Sequence, residues 1–111
     1  MKKESLKGVK IKLLSRCGIS PDLSGAINGR ALLHIDNAYY LSNVLVENYL
    51  CKTNTSSSTA FRGFGGNQGM MIIENIVDNV AKYLRKDPAE IRKLNFYQKN
   101  KKKHHSLWYE N

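Results

Sequence analysis

The sequence predicts an α+β fold in which a short strand, a helix, one or two further strands and a glycine-rich loop precede two helices. Three patterns support this class. Apolar residues alternate with lysines near the amino terminus, apolar residues recur every three or four positions from Ile73 to Leu84, and a strong helix start follows at Asp87. With 111 residues, 41% of them hydrophobic, the chain has room for one domain with a modest core.

The first two predicted elements are a strand and a short helix. Residues 8–17 alternate between apolar and polar side chains, which is typical of a strand with one exposed face. Asp22 or Ser24 is then expected to cap a helix that continues through Ile27 and as far as His34. Residues 39–51 are rich in Tyr, Val and Leu, and they are interpreted as one or two strands.

A glycine-rich loop separates these strands from the helical half. Residues 59–66 read TAFRGFGG, and three glycines allow sharp turns and close approach of the backbone to a ligand. The loop follows the polar residues 53–59 and precedes a helix expected to begin near Gln68. Taken alone, this arrangement predicts a site in which backbone amides at a helix start face an anion.

Two helices complete the predicted fold. The first carries one apolar stripe, formed by Ile73, Ile76, Val77, Val80, Ala81 and Leu84. This stripe implies a partner surface larger than the rest of the chain provides. The second helix has Asp87 as N-cap, Pro88 at its first position and Glu90 placed for a capping box. Ile91 and Leu94 are expected to face inward.

The positive charge of the chain lies mainly at its two ends, which weakens the case for a nucleic-acid partner. The formal net charge is +9, but residues 13–97 contain nine Lys or Arg against seven Asp or Glu, so the excess belongs to the ends. We therefore divide the chain into a basic lead at 1–8, a domain at 9–97 and a basic, disordered tail at 98–111, where His104 and His105 lie. Solvated ends explain the charge better than a specific nucleic-acid site does.

Composition also predicts the compartment. No run of about 18 apolar residues exists that would cross a membrane, and the charged start leads into no signal core. Cys17 and Cys51 are too few and too far apart for a disulfide scaffold or a zinc site, so plain thiols are expected. These observations predict a cytoplasmic protein with no membrane partner.

Specific motifs then connect the chain to a known family. From about residue 9 to residue 97 the sequence resembles the molybdenum-binding subunit of xanthine dehydrogenase, in the xanthine dehydrogenase and aldehyde oxidase family. The motifs that carry the resemblance are residues 17–18, 21–25, 30–40, 50–54, 59–66, 68–70 and 87–88. Since that subunit is much larger, the resemblance implies that this chain is an internal fragment and a partial molybdopterin-binding domain.

The resemblance implies a role for individual residues. Arg30 matches the arginine that hydrogen-bonds the purine substrate and stabilises negative charge that builds on it, and Phe64 matches the phenylalanine that stacks on the flat heterocycle. Arg62 matches an arginine at the molybdenum centre, where the backbone at Ala60 and Phe61 shapes the cofactor pocket. These residue types suit the chemistry, because a planar purine favours an aromatic face and a charged donor acts most strongly where charge develops.

The implied reaction is hydroxylation of hypoxanthine or xanthine at a purine carbon. Electrons would leave the molybdenum-molybdopterin group through 2Fe-2S clusters and FAD to NAD. The family's catalytic glutamate and most cofactor-binding segments lie outside the matched region, so we expect the chain to need the remaining segments or subunits and to be inactive alone. Asn67 and Ser42 stand where the family usually has proline, which predicts a looser loop.

Three alternatives remain at this point. The first is an aldehyde oxidase-type fragment, although the presence of Arg30 favours a purine substrate. The second is a non-catalytic structural subunit or a gene remnant. The third is an RNA-binding peptide that uses its FRGFGG loop beside basic ends. The last alternative is the weakest because the loop occurs once. His34 and Asp36 are interpreted as structural residues of the turn after the first helix.

Overall fold

Residues 5–97 are the part of the chain that the computed structural model describes, and they form five elements. In chain order these are β1 (Val9–Gly18), α1 (Ser24–Leu33), β2 (Val44–Lys52), α2 (Gly66–Leu84) and α3 (Pro88–Asn95). The predicted α+β class is confirmed. The predicted tail at 98–111 and the first four residues of the basic lead lie outside the described residues, so these predictions stay open.

The two strands lie parallel, with α1 as the connection between them. Their register runs from the pair Val9 and Val44 to the pair Arg16 and Cys51, and an irregularity follows before Gly18. Within residues 5–97 the sheet contains these two strands and no third. Parallel sheets normally have both faces covered, so a sheet this small depends on what packs against it.

Residues 39–51 were predicted to form one or two strands, and this is confirmed from Val44 onward, where β2 lies, whereas the segment before β2 pairs elsewhere. Tyr39 forms an isolated antiparallel bridge with Phe96, and the amide of Tyr40 donates to the carbonyl of Asn95 at 2.7 Å. The rings of Tyr39 and Phe96 stack with their centroids 5.6 Å apart. This segment therefore pairs with the chain that leaves α3, and β2 begins only at Val44.

The core lies between α2, α3 and this segment. The buried hydrophobic residues of this core are Tyr39, Leu41, Ile73, Val77, Ala81 and Ile91. Leu6, Val9 and Val44 pack against the cluster from the amino-terminal lead and the sheet, and Ile76 and Val80 pack against it from α2. The apolar stripe of α2 is thus confirmed from Ile73 to Ala81, whereas Leu84 at its end is 37% exposed. The prediction that the stripe needs a surface outside the chain is wrong for its buried part, because the 39–41 segment and α3 cover that part.

The N-cap predicted from the sequence is correct for α3 and wrong for α1. Asp87 is the N-cap of α3 as predicted, and its Oδ1 accepts a hydrogen bond from the Ala89 amide at 3.0 Å. The predicted caps of α1 are wrong, since Leu23 is its N-cap and makes no side-chain capping bond. Asp22 has a left-handed backbone with φ of 41°, and Ser24 is already buried in the first turn.

An ionic cluster attaches α3 to α2. Arg92 contacts Glu74 through Nε at 2.9 Å and Asp78 through Nη2 at 2.7 Å. The Tyr39 hydroxyl donates to Glu74 Oε1 at 2.5 Å, and Asn37 Nδ2 donates to the same oxygen at 3.0 Å. The cluster therefore connects both helices with the turn that follows α1.

The cluster shifts the pKa of its members in directions that follow from these contacts. Burial and then the hydrogen bond to Glu74 raise the pKa of Tyr39 to about 12. Partial burial acts to raise the pKa of Glu74, but hydrogen bonds from Tyr39 and Arg92 outweigh it and hold that pKa below its usual value. Hydrogen bonds to Asp78 and Glu74 raise the pKa of Arg92.

Two further observations concern membrane spans and the thiols. Among the helices described for residues 5–97, none combines the length and the apolar character needed to cross a bilayer. Cys17 is buried and Cys51 is half-buried, and both are free thiols.

Candidate functional site

The polar segment that precedes the glycine loop is held against the carboxyl end of β1. The amide of Ile19 donates to the Thr55 carbonyl at 3.0 Å, and the amide of Ser58 donates to the Cys17 carbonyl at 2.9 Å. Gly18 has φ of 86°, and a Cβ there would lie 2.6 Å from the Cα of Ser57. The close approach at Gly18 therefore requires glycine, and it anchors the chain just before the loop.

The loop itself is made of two tight turns. The amide of Phe64 donates to the Phe61 carbonyl at 2.9 Å, and the amide of Gly66 donates to the Gly63 carbonyl at 3.0 Å. Gly63, Phe64 and Gly65 all have left-handed backbones, with φ of 94°, 48° and 94°. The left-handed region suits glycine and is uncommon for phenylalanine, so the surrounding contacts must hold Phe64 in this conformation.

The loop leads into α2 where that helix lies directly against α1. A Cβ on Gly65 would overlap the carbonyl of Ile27, and a Cβ on Gly69 would overlap the carbonyl of Ala31. Gly65 and Gly69 are four residues apart, so both face α1 from the first turn of α2. Helix α2 begins at Gly66, two residues before the predicted start at Gln68.

The helix contact brings Arg30 to the loop. A Cβ on Gly66 would lie 3.7 Å from Arg30 Nε and 3.6 Å from His34 Nε2, so these two side chains flank the first residue of α2. Arg30 and His34 are one turn apart on the same face of α1. Arg30 and the loop are distant in the sequence, and the structure makes them neighbours.

The remaining predicted site residues differ in exposure. Phe61 is 86% exposed and Arg62 is also exposed, whereas Ala60 and Phe64 are half-buried. A large exposed phenylalanine beside an exposed arginine presents both an apolar face and a charged donor to a ligand. The loop thus forms one open wall, and within residues 5–97 nothing encloses it.

A groove beside this wall was not predicted from the sequence. It has a volume of about 370 Å³ and lies between β1, α1 and the start of α2. Its lining includes Ser15 of β1, Ala31 of α1, and Gly65 and Met71 at the start of α2. The four-residue spacing of Gly65 and Gly69 was the available signal, because small residues one turn apart allow helices to approach closely.

The two departures from proline both make contacts. The Asn67 side chain lies against Gly63, and a Cβ on Gly63 would be 2.8 Å from Asn67 Cγ. The Ser42 hydroxyl donates to the Lys7 carbonyl at 2.9 Å, and Asn43 Nδ2 donates to the same oxygen at 2.7 Å. These contacts support the loop and the amino-terminal lead, whereas the effect of the lost prolines on rigidity stays a prediction.

Asp36 has the structural role expected from the sequence. It is 3% exposed, and its Oδ2 accepts a hydrogen bond from the Tyr97 hydroxyl at 2.8 Å. Its carbonyl accepts from the Tyr39 amide at 2.8 Å. These bonds place Asp36 in the turn after α1, where it fastens the end of the described chain.

Comparison with a family profile identifies the domain. The profile described as molybdopterin cofactor-binding domain matches residues 1–96. The chain belongs to this family. The resemblance that the sequence motifs indicated is therefore confirmed, and the cofactor of the family is molybdopterin.

Curated relatives agree with the family and show how small the shared piece is. The chain is 47% identical over 97 residues to xanthine dehydrogenase/oxidase of Gallus gallus, a match that covers 87% of the chain and 7% of that protein. It is 49% identical over 84 residues to nicotinate hydroxylase of Emericella nidulans, covering 76% of the chain and 6% of that protein. The chain thus spans less than a tenth of the length of these molybdenum oxidoreductase relatives.

Solved structures show the same fold. Aldehyde oxidoreductase from Desulfovibrio desulfuricans superposes with a TM-score of 0.73 at 25% identity, over 85% of the chain and 10% of that structure. Aldehyde oxidoreductase from Desulfovibrio gigas gives a TM-score of 0.70 at 26% identity, over 84% of the chain and 11% of that structure. The α+β arrangement described above is therefore a partial molybdopterin-binding domain.

The donor groups present suit part of such a cofactor site. Arg62 on the open wall is exposed and positively charged, so an anionic cofactor group can approach and pair with it. The space that a Cβ would need at Gly63 and Gly65 is occupied by the Asn67 side chain and by the Ile27 carbonyl, so these glycines serve the turns and the helix contact. Within residues 5–97 no group of three or more His, Cys, Asp or Glu side chains is arranged to hold a metal ion. The described residues thus fit one side of the pterin group and supply no ligand cluster for the metal.

Proposed function

We propose that this chain provides one wall of the substrate and cofactor pocket in a molybdenum hydroxylase of the xanthine dehydrogenase type. The observation that carries the proposal is the contact of Arg30 with the start of α2, directly after the loop that holds Phe61, Arg62 and Phe64. When bound, the molybdenum-molybdopterin group supplies the oxidation chemistry. The residues of the chain orient the substrate and stabilise charge.

Arg30 is the residue that we assign to a purine. Its guanidinium carries a positive charge and offers several donors in one plane, which matches the acceptor oxygen and nitrogen atoms at the edge of hypoxanthine or xanthine. Phe64 is half-buried, so part of its ring is open to stack on a flat heterocycle. Arg62, with the backbone of Ala60 and Phe61, would hold the anionic side of the cofactor.

The open geometry supports inactivity of the chain alone. Phe61 is 86% exposed, and an electrostatic contact to substrate is strong only where water is excluded. The remaining segments of a xanthine dehydrogenase would close the pocket, provide the proton-transferring glutamate and carry electrons through 2Fe-2S and FAD to NAD. We therefore expect the purified chain to hold no molybdenum and to produce no urate from xanthine.

A chimera tests the proposal directly. The segment of the Gallus gallus xanthine dehydrogenase/oxidase that matches this chain is replaced by residues 1–97, and molybdenum content and urate formation are measured. We expect a loaded enzyme that oxidises xanthine. Arg30→Met should lower kcat/KM for xanthine by roughly 100-fold, because it removes a charged donor to the transition state. Lys82→Met, an exposed change on α2, serves as the matched control and should have little effect.

The chimera also separates the proposal from its alternatives. A molybdenum-loaded chimera without xanthine activity would contradict the proposed role of the segment. An aldehyde oxidase-type role is favoured if Arg30→Met leaves oxidation of xanthine and of benzaldehyde equally unaffected. A chimera that folds but loads no molybdenum would favour a structural subunit or gene remnant.

A further inference from the structure

One face of the sheet lies away from the helices, and we call it the outer face. Asn48 of β2 bonds to Asn28 of α1 at 2.8 Å, and Ser15 of β1 bonds to the same side chain, so these residues mark the inner face. Side chains alternate along a strand, and register partners share a face. The outer face therefore consists of Lys10, Lys12, Leu14 and Arg16 of β1, with Leu45, Glu47, Tyr49 and Cys51 of β2.

The outer face exposes more apolar surface than a finished sheet would. Leu14 is 62% exposed, Leu45 is 53% exposed and Tyr49 is 45% exposed. Parallel sheets occur with both faces covered, and two strands alone do not make a stable sheet in water. Each strand also has one edge that pairs with no other strand of residues 5–97. The face and the edges together have the properties of an interface.

The charge on this face selects the kind of partner. Lys10, Lys12 and Arg16 contribute three cations, whereas Glu47 is the single carboxylate. Lys12 Nζ lies 5.0 Å from the centre of the Tyr49 ring, so the cations sit directly beside the apolar area. Two copies of the chain would bring six cations together across a symmetric contact, which disfavours self-association. A partner needs apolar residues that alternate with acidic ones.

We propose that the outer face binds an extended polypeptide segment with alternating apolar and acidic side chains, supplied by the part of a molybdopterin-binding subunit that this chain does not contain. The inference rests on the proposed function. It is supported by the match of the chain to only 7% of its Gallus gallus relative, since the other 93% offers the segments from which the cover would come. The segment adds strand pairing at an open edge and covers Leu14, Leu45 and Tyr49.

A nucleic acid fits this face less well than a polypeptide does. Single-stranded RNA would use the cations and Tyr49, but it gains little from two exposed leucines and cannot satisfy the hydrogen-bonding edge of a strand. A polypeptide segment with alternating apolar and acidic side chains can pair with the cations, cover the leucines and hydrogen-bond to the strand edge. RNA binding and self-association are therefore treated as competing outcomes of the test.

The test uses the full chain of 111 residues as a tagged protein. It is co-produced with the Gallus gallus relative divided into two polypeptides, one on each side of the segment that the chain matches. We expect these polypeptides to co-purify with the tagged chain. The double substitution Leu14→Glu and Leu45→Glu should reduce their recovery about tenfold, because it places carboxylates where apolar and acidic side chains are expected to dock.

Matched variants show whether the effect belongs to the outer face. Lys12→Glu with Arg16→Glu should reduce recovery similarly, whereas Tyr83→Glu should not, since Tyr83 is 89% exposed on α2. Circular dichroism confirms that each variant keeps its helices. Unchanged recovery with both outer-face variants, equal loss with Tyr83→Glu, or no recovery with the unsubstituted chain would each overturn the proposal.

The competing outcomes have their own measurements. Sedimentation of the chain alone should show a monomer, and a dimer abolished by Leu14→Glu would assign the face to a second copy and refute the proposal. Salt-dependent binding of a 12-nucleotide uridine RNA that Lys12→Glu abolishes would refute it in favour of RNA. A complex that depends on the outer face but holds no molybdenum would support the docking proposal and contradict the proposed function, so the two failures are distinguishable.

Discussion

The close contact between α1 and α2 at Gly69 leads to a prediction with an unusual sign. Alanine in place of a helical glycine normally stabilises a helix by about 1 kcal/mol. At Gly69 the added Cβ would overlap the Ala31 carbonyl oxygen and lie 3.1 Å from its carbonyl carbon, which is closer than the ordinary contact distance of 3.4–4 Å. These neighbours are backbone atoms of α1 and cannot rotate away, so the helices must separate. Forced overpacking of this kind costs about 1 to 3 kcal/mol.

We therefore expect Gly69→Ala to lower the free energy of unfolding by up to about 2 kcal/mol, after the gain in helix propensity is subtracted from the cost of overpacking. Gly29→Ala is the matched control, because Gly29 is also helical and a Cβ there meets no atom within 4 Å. That variant should gain up to about 1 kcal/mol. Urea unfolding of the full chain followed by circular dichroism measures both values. A Gly69→Ala variant as stable as Gly29→Ala would refute the reasoning.

Four other predictions concern the core, two residues of the ionic cluster and the cap of α3. Ile73→Ala should cost about 2 to 5 kcal/mol of unfolding free energy because Ile73 is fully buried, whereas Met71→Ala, 66% exposed on the same helix, should change it by less than about 0.5 kcal/mol; urea unfolding compares the two. The pKa of Glu74 is lower in the folded state, so the stabilisation by its carboxylate is present above about pH 4.5 and is lost as pH falls through the folded value. Glu74→Gln should remove this contribution to the pH dependence of unfolding, which acid unfolding monitored by circular dichroism measures. The raised pKa of Tyr39, about 12 against an ordinary value of 10, has the opposite sign: its contribution to stability is complete below about pH 10 and is lost as pH rises through 12. Tyr39→Phe should abolish this loss in an alkaline titration. Asp87→Ala should cost about 1 kcal/mol through loss of the Ala89 cap, and Asp87→Asn should restore most of it in thermal unfolding.

Local sequence signals predicted the structure correctly wherever a short segment makes its own backbone hydrogen bonds. The capping residues at the start of α3 are such a case, because Asp87 and Pro88 act within one turn. The 3.6-residue period of α2 likewise identified the face that holds Ile73 and Val77. In contrast, the segment that contains Tyr39 has strand-forming residues, yet it pairs with the chain after α3 through Phe96. No local pattern specifies such a partner.

The sequence by itself determined the family, the α+β class and the residue types of the candidate site, since ordered motifs and hydrophobic periods can be read without coordinates. Only the tertiary structure decided that Arg30 lies beside the first turn of α2, because the approach depends on the missing side chains of Gly65 and Gly69 against backbone carbonyls of α1. The sequence predicted that the apolar stripe of α2 lacks a partner surface, whereas the structure shows the exposed apolar residues on the outer face of the sheet. Burial depends on which elements cover one another, and that is a property of the whole arrangement.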